Sequence, residues 1–262
     1  TTLTELQRSS PQEYAALAAS VDAVVVDECH YEPALRWGKA VKSLNKPMIL
    51  MTATPYRNDL KLFRIENPKE SVFHFSHHDA EAAKIIRPLK TLSLPDAMDV
   101  PKLAQEFSAA WKAAVQSNSL ISSTPRAIIC CTSAADIKAA VAVIRDAGLD
   151  AIGIHDTFTG NAGSHLLKEV PERHSAVIWI HQHKLTEGLD DHRFCCVAFF
   201  GPVGNDRKLI QQIGRVLRRG RSDREDCAAL LYAPNYLNLG DRWLAYREFE
   251  KSVELLTAQH YR

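Results

Sequence analysis

Short apolar runs alternate with amphipathic stretches of helical period along most of the 262-residue chain. The runs at residues 24–26 and 228–232 are rich in β-branched or other apolar residues, and Ile137, Val141 and Ile144 repeat at the spacing of one helix face. Runs of this length are typical of strands that are covered on both faces. The alternation therefore predicts an α/β fold with a largely parallel sheet.

The predicted elements follow one another at short intervals. The expected strands cover residues 23–26, 48–51, 72–75, 127–131, 151–154, 177–180, 195–200 and 228–232. The expected helices cover residues 103–115, 137–144 with Gly148 as the stop, and 206–217 with Gly220 as the stop. A stretch with Pro88, Pro95 and Pro101 has no clear period and is predicted to be a linker.

Composition narrows the class of protein. The net charge of +1 gives no global basic field, so a nucleic-acid site has to be a local patch. Five arginines lie close together in the sequence: Arg215, Arg218, Arg219, Arg221 and Arg224. The six cysteines form no C-x-x-C pair, which disfavours a zinc knuckle and suits reduced thiols in a cytoplasmic protein. No apolar run approaches the roughly 20 residues that span a bilayer, and no signal peptide is recognisable.

Two polar segments follow predicted strands in the first third of the chain. Asp27 and Glu28 are adjacent carboxylates, a pair that suits Mg²⁺ binding and activation of a water for attack on a phosphate. Thr52 and Thr54 supply hydroxyls that can hydrogen-bond to carboxylates on a neighbouring strand end. Taken singly, the first segment is equally compatible with acidic residues that end a strand by chance. The second is compatible with an ordinary turn at the end of a strand.

Two further segments lie in the last third. Gln211, Arg215 and Arg218 are spaced to share one helix face, and Gly214 would allow a close approach to it. Guanidinium groups are always charged and bind phosphate oxygens in a fork, although a solvated basic face is the alternative. Before this helix, residues 185–191 offer backbone and hydroxyl donors and a carboxylate that could bind a phosphate or a ribose. The alternative interpretation is a simple turn with acidic residues. The buried side of the helix is expected to carry Ile213, Val216 and Leu217.

In this order, the four segments resemble the motifs of superfamily 2 helicases. Residues 27–30 match the DExH box, residues 52–54 match motif III, residues 186–190 match motif V, and residues 211–218 match the Q-x-x-G-R-x-x-R pattern of motif VI. The T-A-T-P, E-G-x-D and G-R-V-L-R forms are similar to the branch that contains restriction-enzyme motor subunits and related DNA-repair helicases. The resemblance covers roughly residues 21–232.

The resemblance implies two RecA-like parallel-sheet lobes. Residues 1–84 would be the C-terminal part of an incomplete first lobe, residues 85–101 the linker, and residues 102–262 a complete second lobe with a C-terminal helix. It also implies ATP and Mg²⁺ as cofactors, with ATP hydrolysed between the lobes, and nucleic acid as the partner, DNA in preference to RNA.

The resemblance also implies roles for single residues of the first lobe. Asp27 would hold Mg²⁺ through water and Glu28 would be the catalytic base, while His30 completes the DExH box. Thr52 and Thr54 would couple the state of the nucleotide to domain movement.

In the second lobe, Thr186 and Gly188 would touch the nucleic-acid backbone or nucleotide, and Asp190 would contact the nucleotide or the arginines. Arg215 and Arg218 would reach the γ-phosphate. Three further polar residues complete the implied site in this lobe. Gln211 would hold the arginine cluster in place, and Thr132 and Ser133 fall where motif IV contacts nucleic acid. Arg219 is equally compatible with a phosphate contact and a solvated loop.

One expected motif is missing from the sequence. A phosphate-binding loop reads G-x-x-x-x-G-K-[ST], but the one Gly-Lys pair, Gly38 and Lys39, is followed by Ala40. The loop would lie upstream in a longer protein, come from a partner, or have been lost, and the start of the chain in mid-pattern favours truncation. We expect an ATP-dependent helicase or translocase that is inactive as this chain alone; the alternative is a non-catalytic module that clamps nucleic acid or a partner protein.

The remaining histidines are assigned structural or surface positions. His74, His77 and His78 are expected to be solvated surface residues rather than metal ligands. His181 and His183 precede motif V, and structural roles are favoured over a position near a nucleic-acid groove.

Overall fold

A computed structural model describes residues 9–27, 29, 42–53, 72–96, 99–117, 124–160, 163–185 and 190–256, the last six of these without their side chains. The described residues fall into two compact units, one within Thr1–Phe73 and Val253–Arg262, the other within His74–Ser252. Both units contain parallel sheets, so the predicted α/β class of two RecA-like lobes is confirmed.

The first unit contains helix α1 (Pro11–Ser20) and strands β1 (Val24–Val26) and β2 (Met48–Leu50). The N-cap of α1 is Ser10, whose side chain and that of Glu13 form a reciprocal capping box. Strands β1 and β2 pair in parallel, with Val26 opposite Leu50.

The expectation that β1 is buried on both faces was wrong. Val25 is 60% exposed and Ile49 on β2 is 59% exposed, whereas Val26 is buried. Because successive strand side chains point to opposite faces, the paired Val25 and Ile49 lie on the face opposite Val26, and that face is largely open to solvent.

The second unit is built on a seven-stranded parallel sheet in the order β3-β9-β8-β4-β7-β5-β6. Its strands are β3 (Leu89–Leu94), β4 (Arg126–Cys130), β5 (Ala151–Ile154), β6 (Leu166–Leu167), β7 (Ile178–His181), β8 (Phe194–Phe199) and β9 (Ala229–Pro234). Its helices are α2 (His77–Ala82), α3 (Val100–Gln116), α4 (Ala134–Asp146), α5 (Asp206–Leu217) and α6 (Leu239–Leu256), with a short 3₁₀ helix at Asn235–Leu237.

The five expected strands from residue 127 onward are present, with ends that differ by one or two residues. Two sequence expectations differ from the structure. Residues 72–75 form no strand, and β3 lies inside the stretch predicted to be a linker. Strand β3 is an edge strand with a mostly exposed middle, so its sequence lacks the continuous apolar run of the central strands. The domain boundaries at residues 84 and 101 stay predictions.

The core of the second unit lies on the two faces of this sheet. Helices α3 and α4 cover one face, where Phe107 and Trp111 stack on each other and share a buried cluster with strand residues such as Ile129. Helix α5 packs against β8 and β9 through residues that include Leu209 and Ile213. Since successive strand side chains point to opposite faces, this arrangement explains why the central strands are apolar throughout. Among the described helices, none is long and apolar enough to cross a membrane.

A buried arginine joins the edge of this sheet to α5. The Arg87 and Asp223 side chains have no solvent exposure and form an ion pair, with Nη2 at 2.6 Å and Nε at 3.0 Å from Oδ2. Nη1 donates to the carbonyls of Phe194 and Val216, both at 3.0 Å, and Nη2 donates to the carbonyl of His192 at 2.5 Å. All five N–H donors of the guanidinium are therefore used.

This ion pair predicts a large difference between two glutamine substitutions. Arg87→Gln should lower the free energy of unfolding by about 3–5 kcal/mol, because it leaves the buried Asp223 carboxylate unpaired. Lys84→Gln is the matched control, since Lys84 pairs with Glu225 on the surface and such pairs contribute about 0–1 kcal/mol. Urea denaturation of both variants makes the comparison; equal losses would show that the Arg87 pair is not a structural requirement.

Candidate functional site

The carboxyl ends of β1 and β2 carry the first two predicted segments. The parallel pairing continues past the strands, because Met51 N–H donates to the Val26 carbonyl at 2.9 Å and Cys29 N–H donates to the Met51 carbonyl at 3.0 Å. Asp27 is exposed and Thr52 is half-buried, and both follow these strand ends. The structure therefore brings residues 27 and 52 to one edge of the first sheet.

Three predicted residues of this edge, Glu28, His30 and Thr54, lie outside the described residues, as do Thr186 and Gly188 of the second unit. Asp27 alone offers an exposed carboxylate that can serve as an oxygen ligand. No group of three or more acidic, histidine or cysteine side chains able to hold a metal ion occurs within the part of the chain that the structure describes. A Mg²⁺ ion that keeps most of its water would need no more than one or two carboxylates.

In the second unit, Thr132 and Ser133 follow the carboxyl end of β4. Ser133 is the N-cap of α4 and accepts a hydrogen bond from the Asp136 N–H at 3.1 Å. The Thr132 hydroxyl donates to the Asp136 carboxylate at 2.6 Å, and the Thr132 carbonyl accepts from the Gln182 amide. Gln182 in turn contacts His155 Nε2 through its Oε1 at 2.9 Å. The ends of β4, β5 and β7 are thus joined by one chain of polar contacts.

Two residues that follow β7 contact or face α5. Partial burial and the nearby Lys208 ammonium lower the pKa of His183. Further along, Gln212 Nε2 donates to the Leu185 carbonyl at 3.1 Å. Leu185, the residue before motif V of the sequence analysis, therefore contacts the helix that carries motif VI.

The last contact of this series joins two predicted site residues. Arg218 Nη1 lies 2.7 Å from Asp190 Oδ1, in a pair that is largely exposed. Asp191, the next residue, pairs with Arg126 at the start of β4, so this contact lies at the amino edge of the sheet. Asp190 thus pairs with one of the two predicted arginines, and its role towards a nucleotide stays a prediction.

Two details of the predicted helix face were wrong. Helix α5 ends at Leu217, and Arg218 is its C-cap with extended backbone, so Arg218 does not share a helical face with Gln211 and Arg215. Gln211 is half-buried while Arg215 is 8% exposed, so the arginine lies in the interior of the unit. A Cβ at Gly214 would meet no described atom within 4 Å, and the close approach that Gly214 would allow stays a prediction.

Next to Arg215 lies His181, the last residue of β7. It is fully buried, and burial together with the charge of Arg215 lowers the pKa of His181 to about 3. Its Nδ1 accepts from the Leu185 N–H at 3.2 Å, so the proton of the neutral ring is on Nε2, which faces Cys130 Sγ at 3.4 Å. The structural position expected for His181 is therefore the observed one.

The arginine loop after α5 is held by its own contacts. Arg219 is half-buried and donates to the Arg224 carbonyl at 2.7 Å, and Arg224 pairs with Asp226 at 3.0 Å. Arg221 is exposed. Arg221 and Arg224 are therefore more exposed than Arg219, and whether Arg219 contacts a phosphate stays open.

The expected solvated position of the first histidine cluster was wrong for His77. Its Nδ1 lies 2.8 Å from Glu250 Oε1, and its ring packs edge-on against Trp243 and Tyr246 at 5.3 and 5.5 Å. The residue joins α2 to α6. The contact spans more than 170 positions in sequence, so no local pattern could reveal it.

Sequence reasoning missed Gln212, although a signal was present. Positions 209, 212, 213 and 216 share one face of a helix, and three of them are apolar. Gln212 is thus a polar residue on the helix face that the pattern predicts to be buried, and in the structure it is 3% exposed.

Comparisons with known proteins bear on the fold. No protein-family model and no curated protein matches the sequence. A fragment assigned as an HsdR subunit of a type I restriction enzyme from Vibrio vulnificus YJ016 matches with a TM-score of 0.62 and 15% identity, over 90% of this chain and 48% of that chain. A point variant of S. cerevisiae Dbp5 bound to RNA and ADP BeF3 matches with a TM-score of 0.51 and 13% identity, over 95% of this chain and 67% of that chain. The chain is similar to these proteins in fold.

The ATP-dependent Type ISP restriction-modification enzyme LlaBIII, solved bound to DNA, matches with a TM-score of 0.50 and 14% identity, over 81% of this chain and 18% of that chain. The chain thus spans about half of the HsdR fragment and less than a fifth of LlaBIII. At these identities the likeness concerns the arrangement of helices and strands.

The low pKa of His181 predicts a specific dependence of stability on pH. The folded chain keeps the ring neutral down to about pH 3, while the unfolded chain takes up a proton near pH 6.5. Stability should therefore fall as the pH is lowered from about 6.5 towards 3, by up to about tenfold in the folding constant per pH unit. His181→Asn, which does not titrate, should remove this part of the dependence in urea denaturation measured across that range.

Imidazole nitrogen NMR shifts provide the direct measurement. They should show the neutral Nε2–H form of His181 throughout pH 5–8. A protonated ring at pH 5 in the folded chain would contradict the buried environment described above.

Proposed function

We propose that the chain is the motor part of an ATP-dependent helicase or translocase that acts on nucleic acid, with DNA favoured over RNA. The observation that supports the proposal is a pair of contacts made by the residues on either side of 186–189. Leu185 accepts a hydrogen bond from Gln212 of α5, and Asp190 pairs with Arg218, the C-cap of that helix. The ends of the segment that resembles a nucleic-acid motif are thus in contact with the segment that resembles an arginine-finger motif.

The residue chemistry agrees with this proposal. Asp27 is an exposed carboxylate at a strand end and suits a hydrated Mg²⁺. Glu28, the adjacent carboxylate, has the chemistry of a general base for water. Arg215 and Arg218 carry permanent charges that suit the stabilisation of phosphate oxygens. The DExH assignment and these roles remain part of the proposal.

The fold comparison supports nucleic acid and nucleotide as the classes of ligand. One neighbour was solved bound to DNA and another bound to RNA and ADP BeF3, and both share the fold of this chain. DNA is favoured because the T-A-T-P and E-G-x-D forms resemble those of restriction-enzyme motors. Because the sequence contains no G-x-x-x-x-G-K-[ST], we expect the 262-residue chain alone not to hydrolyse ATP.

The decisive test is ATP hydrolysis stimulated by nucleic acid, in the longest natural protein that contains this chain. Glu28→Gln should reduce the stimulated rate by about 10²–10⁴-fold, the contribution expected of a general base. Arg215→Gln should reduce it by a factor of about 10³–10⁵, the range known for arginine fingers. Glu225→Gln is the matched control, since it changes an exposed carboxylate that pairs with Lys84, and should leave the rate unchanged.

The alternative outcome identifies the second candidate. Nucleic-acid binding without any stimulated hydrolysis would favour a non-catalytic clamp and would leave Arg215 and Arg218 as phosphate contacts at most. A protein that neither binds nucleic acid nor hydrolyses ATP would refute both candidate functions.

Nucleic-acid binding by the 262-residue chain itself can be measured by fluorescence anisotropy at several salt concentrations. If Arg219 contacts a phosphate, Arg219→Gln should lower the salt slope by about 0.7–0.9. Arg145→Gln removes the same charge from a surface pair with Asp150, three strands away from β8, and should leave the slope unchanged. Equal slopes in all three proteins would assign Arg219 to the solvated loop.

A further inference from the structure

The chain passes between the two units at two places. One lies between Phe73 and His74, in the extended stretch before α2, and the other lies between Ser252 and Val253, inside α6. Helix α2 therefore stands at the start of the second unit, and most of α6 stands at its end. Next to both crossings lies a cluster of polar and aromatic side chains from these two helices.

The first part of this cluster is built around a buried carboxylate. Glu250 is 6% exposed and accepts hydrogen bonds from His77 Nδ1 at 2.8 Å, from the His77 N–H at 3.3 Å and from the Tyr246 hydroxyl at 2.8 Å. Burial acts to raise the pKa of Glu250, but the hydrogen bonds and charge of His77 leave that pKa below its ordinary value. The ionised carboxylate therefore needs these donors, and a buried charge that lost them would be costly.

The second part is an ion pair between the same two helices. Arg247 of α6 binds both carboxylate oxygens of Glu81 on α2, at 2.7 and 3.2 Å, and both side chains are largely buried. Pairs with two such contacts fix the orientation of the side chains as well as their distance. Residue 77 meets residue 250 and residue 81 meets residue 247, so the two helices run in opposite directions and are joined over about one turn of each.

We propose that these contacts form a clamp between α2 and α6 that limits the movement of the two units relative to each other. Two units joined by short connections are expected to move unless something restrains them, and the bending falls on a few residues outside regular structure. The extended stretch before α2 is such a place, whereas the other crossing lies inside a helix.

The position of the clamp gives it this effect. His77 and Glu250 each lie within three residues of a crossing, on the side of the second unit. With the clamp closed, both connections leave the second unit from one place, which leaves the first unit fewer directions in which to move. With the clamp open, the start of α2 can separate from α6. This inference does not depend on nucleic-acid binding.

The clamp lies outside the main core of the second unit. The His77 ring packs edge-on against Trp243 and Tyr246, and these aromatic residues do not belong to the buried cluster around Phe107 and Ile129. Opening the clamp should therefore leave the seven-stranded sheet intact.

The test uses the 262-residue chain with one spin label on each unit. Gln12 of α1 and Lys102 of α3 are exposed and are changed to cysteine for labelling. The native cysteines are buried except for the half-buried Cys130, so the labels react with the introduced thiols. Double electron–electron resonance measures the distribution of distances between the labels, and amide hydrogen exchange is followed in α2 and in β4.

Three changes open or restore the clamp. Arg247→Glu places two carboxylates against each other, and Arg247→Glu combined with Glu81→Arg restores the pair with the charges exchanged. Glu250→Gln keeps the shape but removes the buried charge. Arg145→Gln is the control, since it removes a surface pair with Asp150 on α4 and β5.

We expect the distance distribution to widen in Arg247→Glu and in Glu250→Gln. The amides of α2 should exchange about 10-fold to 100-fold faster in both, the size expected when a buried charged group loses its partners. Exchange in β4 should not change. The charge-exchanged chain should recover both properties, and Arg145→Gln should behave like the unaltered chain.

An unchanged distance distribution together with faster exchange in α2 would overturn the inference, because the cluster would then only pack one helix on another. Unchanged exchange in α2, or a charge-exchanged chain that behaves like Arg247→Glu, would overturn it as well. Faster exchange in β4 would make the cluster part of the core of the unit and would also contradict the clamp.

Discussion

The ion pair between Arg87 and Asp223 is closed to solvent, and the position of α5 depends on it. One guanidinium reaches the start of β8 through Phe194 and the end of α5 through Val216, so it joins three elements that are far apart in sequence. Burying two charges is costly unless they are paired and fully hydrogen-bonded. Here the five donors of Arg87 are all used and Asp223 Oδ2 also accepts from the Gly220 N–H, while Asp223 Oδ1 has no hydrogen-bond partner among the described residues. Through its contacts with Val216 and Phe194, the guanidinium ties the end of the helix that carries Arg215 to the sheet.

Electrostatics in the interior follow from that placement. Arg215 is brought inside the unit, next to the fully buried His181. Burial is the main reason that the imidazole is neutral, and the permanent charge of Arg215 adds to it, so the pKa of His181 lies near 3. A neutral ring can then accept the Leu185 N–H, a role that a protonated imidazole could not perform. Burial and the neighbouring guanidinium together thus fix the hydrogen-bonding role of His181.

Local patterns predicted the parts of the fold that local physics controls. Apolar runs located the central strands, and helical spacing located α3, α4 and α5, because burial on both faces of a sheet leaves a signal in consecutive residues. The edge strand β3 left no such signal, since its middle residues are exposed. Arg218 was placed on the helix face by its spacing, but α5 ends one residue earlier, at Leu217. Spacing alone does not reveal where a helix stops.

The sequence by itself determined the fold class, the order of the segments that resemble helicase motifs, and which residue types can perform phosphate chemistry. Tertiary structure alone decided which of them meet. Asp190 pairs with Arg218, Leu185 is hydrogen-bonded to Gln212, and His77 pairs with Glu250, which is more than 170 residues away in sequence. The physical reason is that periodicity records whether a side chain faces the interior, whereas its partner there depends on strand order and helix placement. Those are set by packing and buried charges across the whole unit.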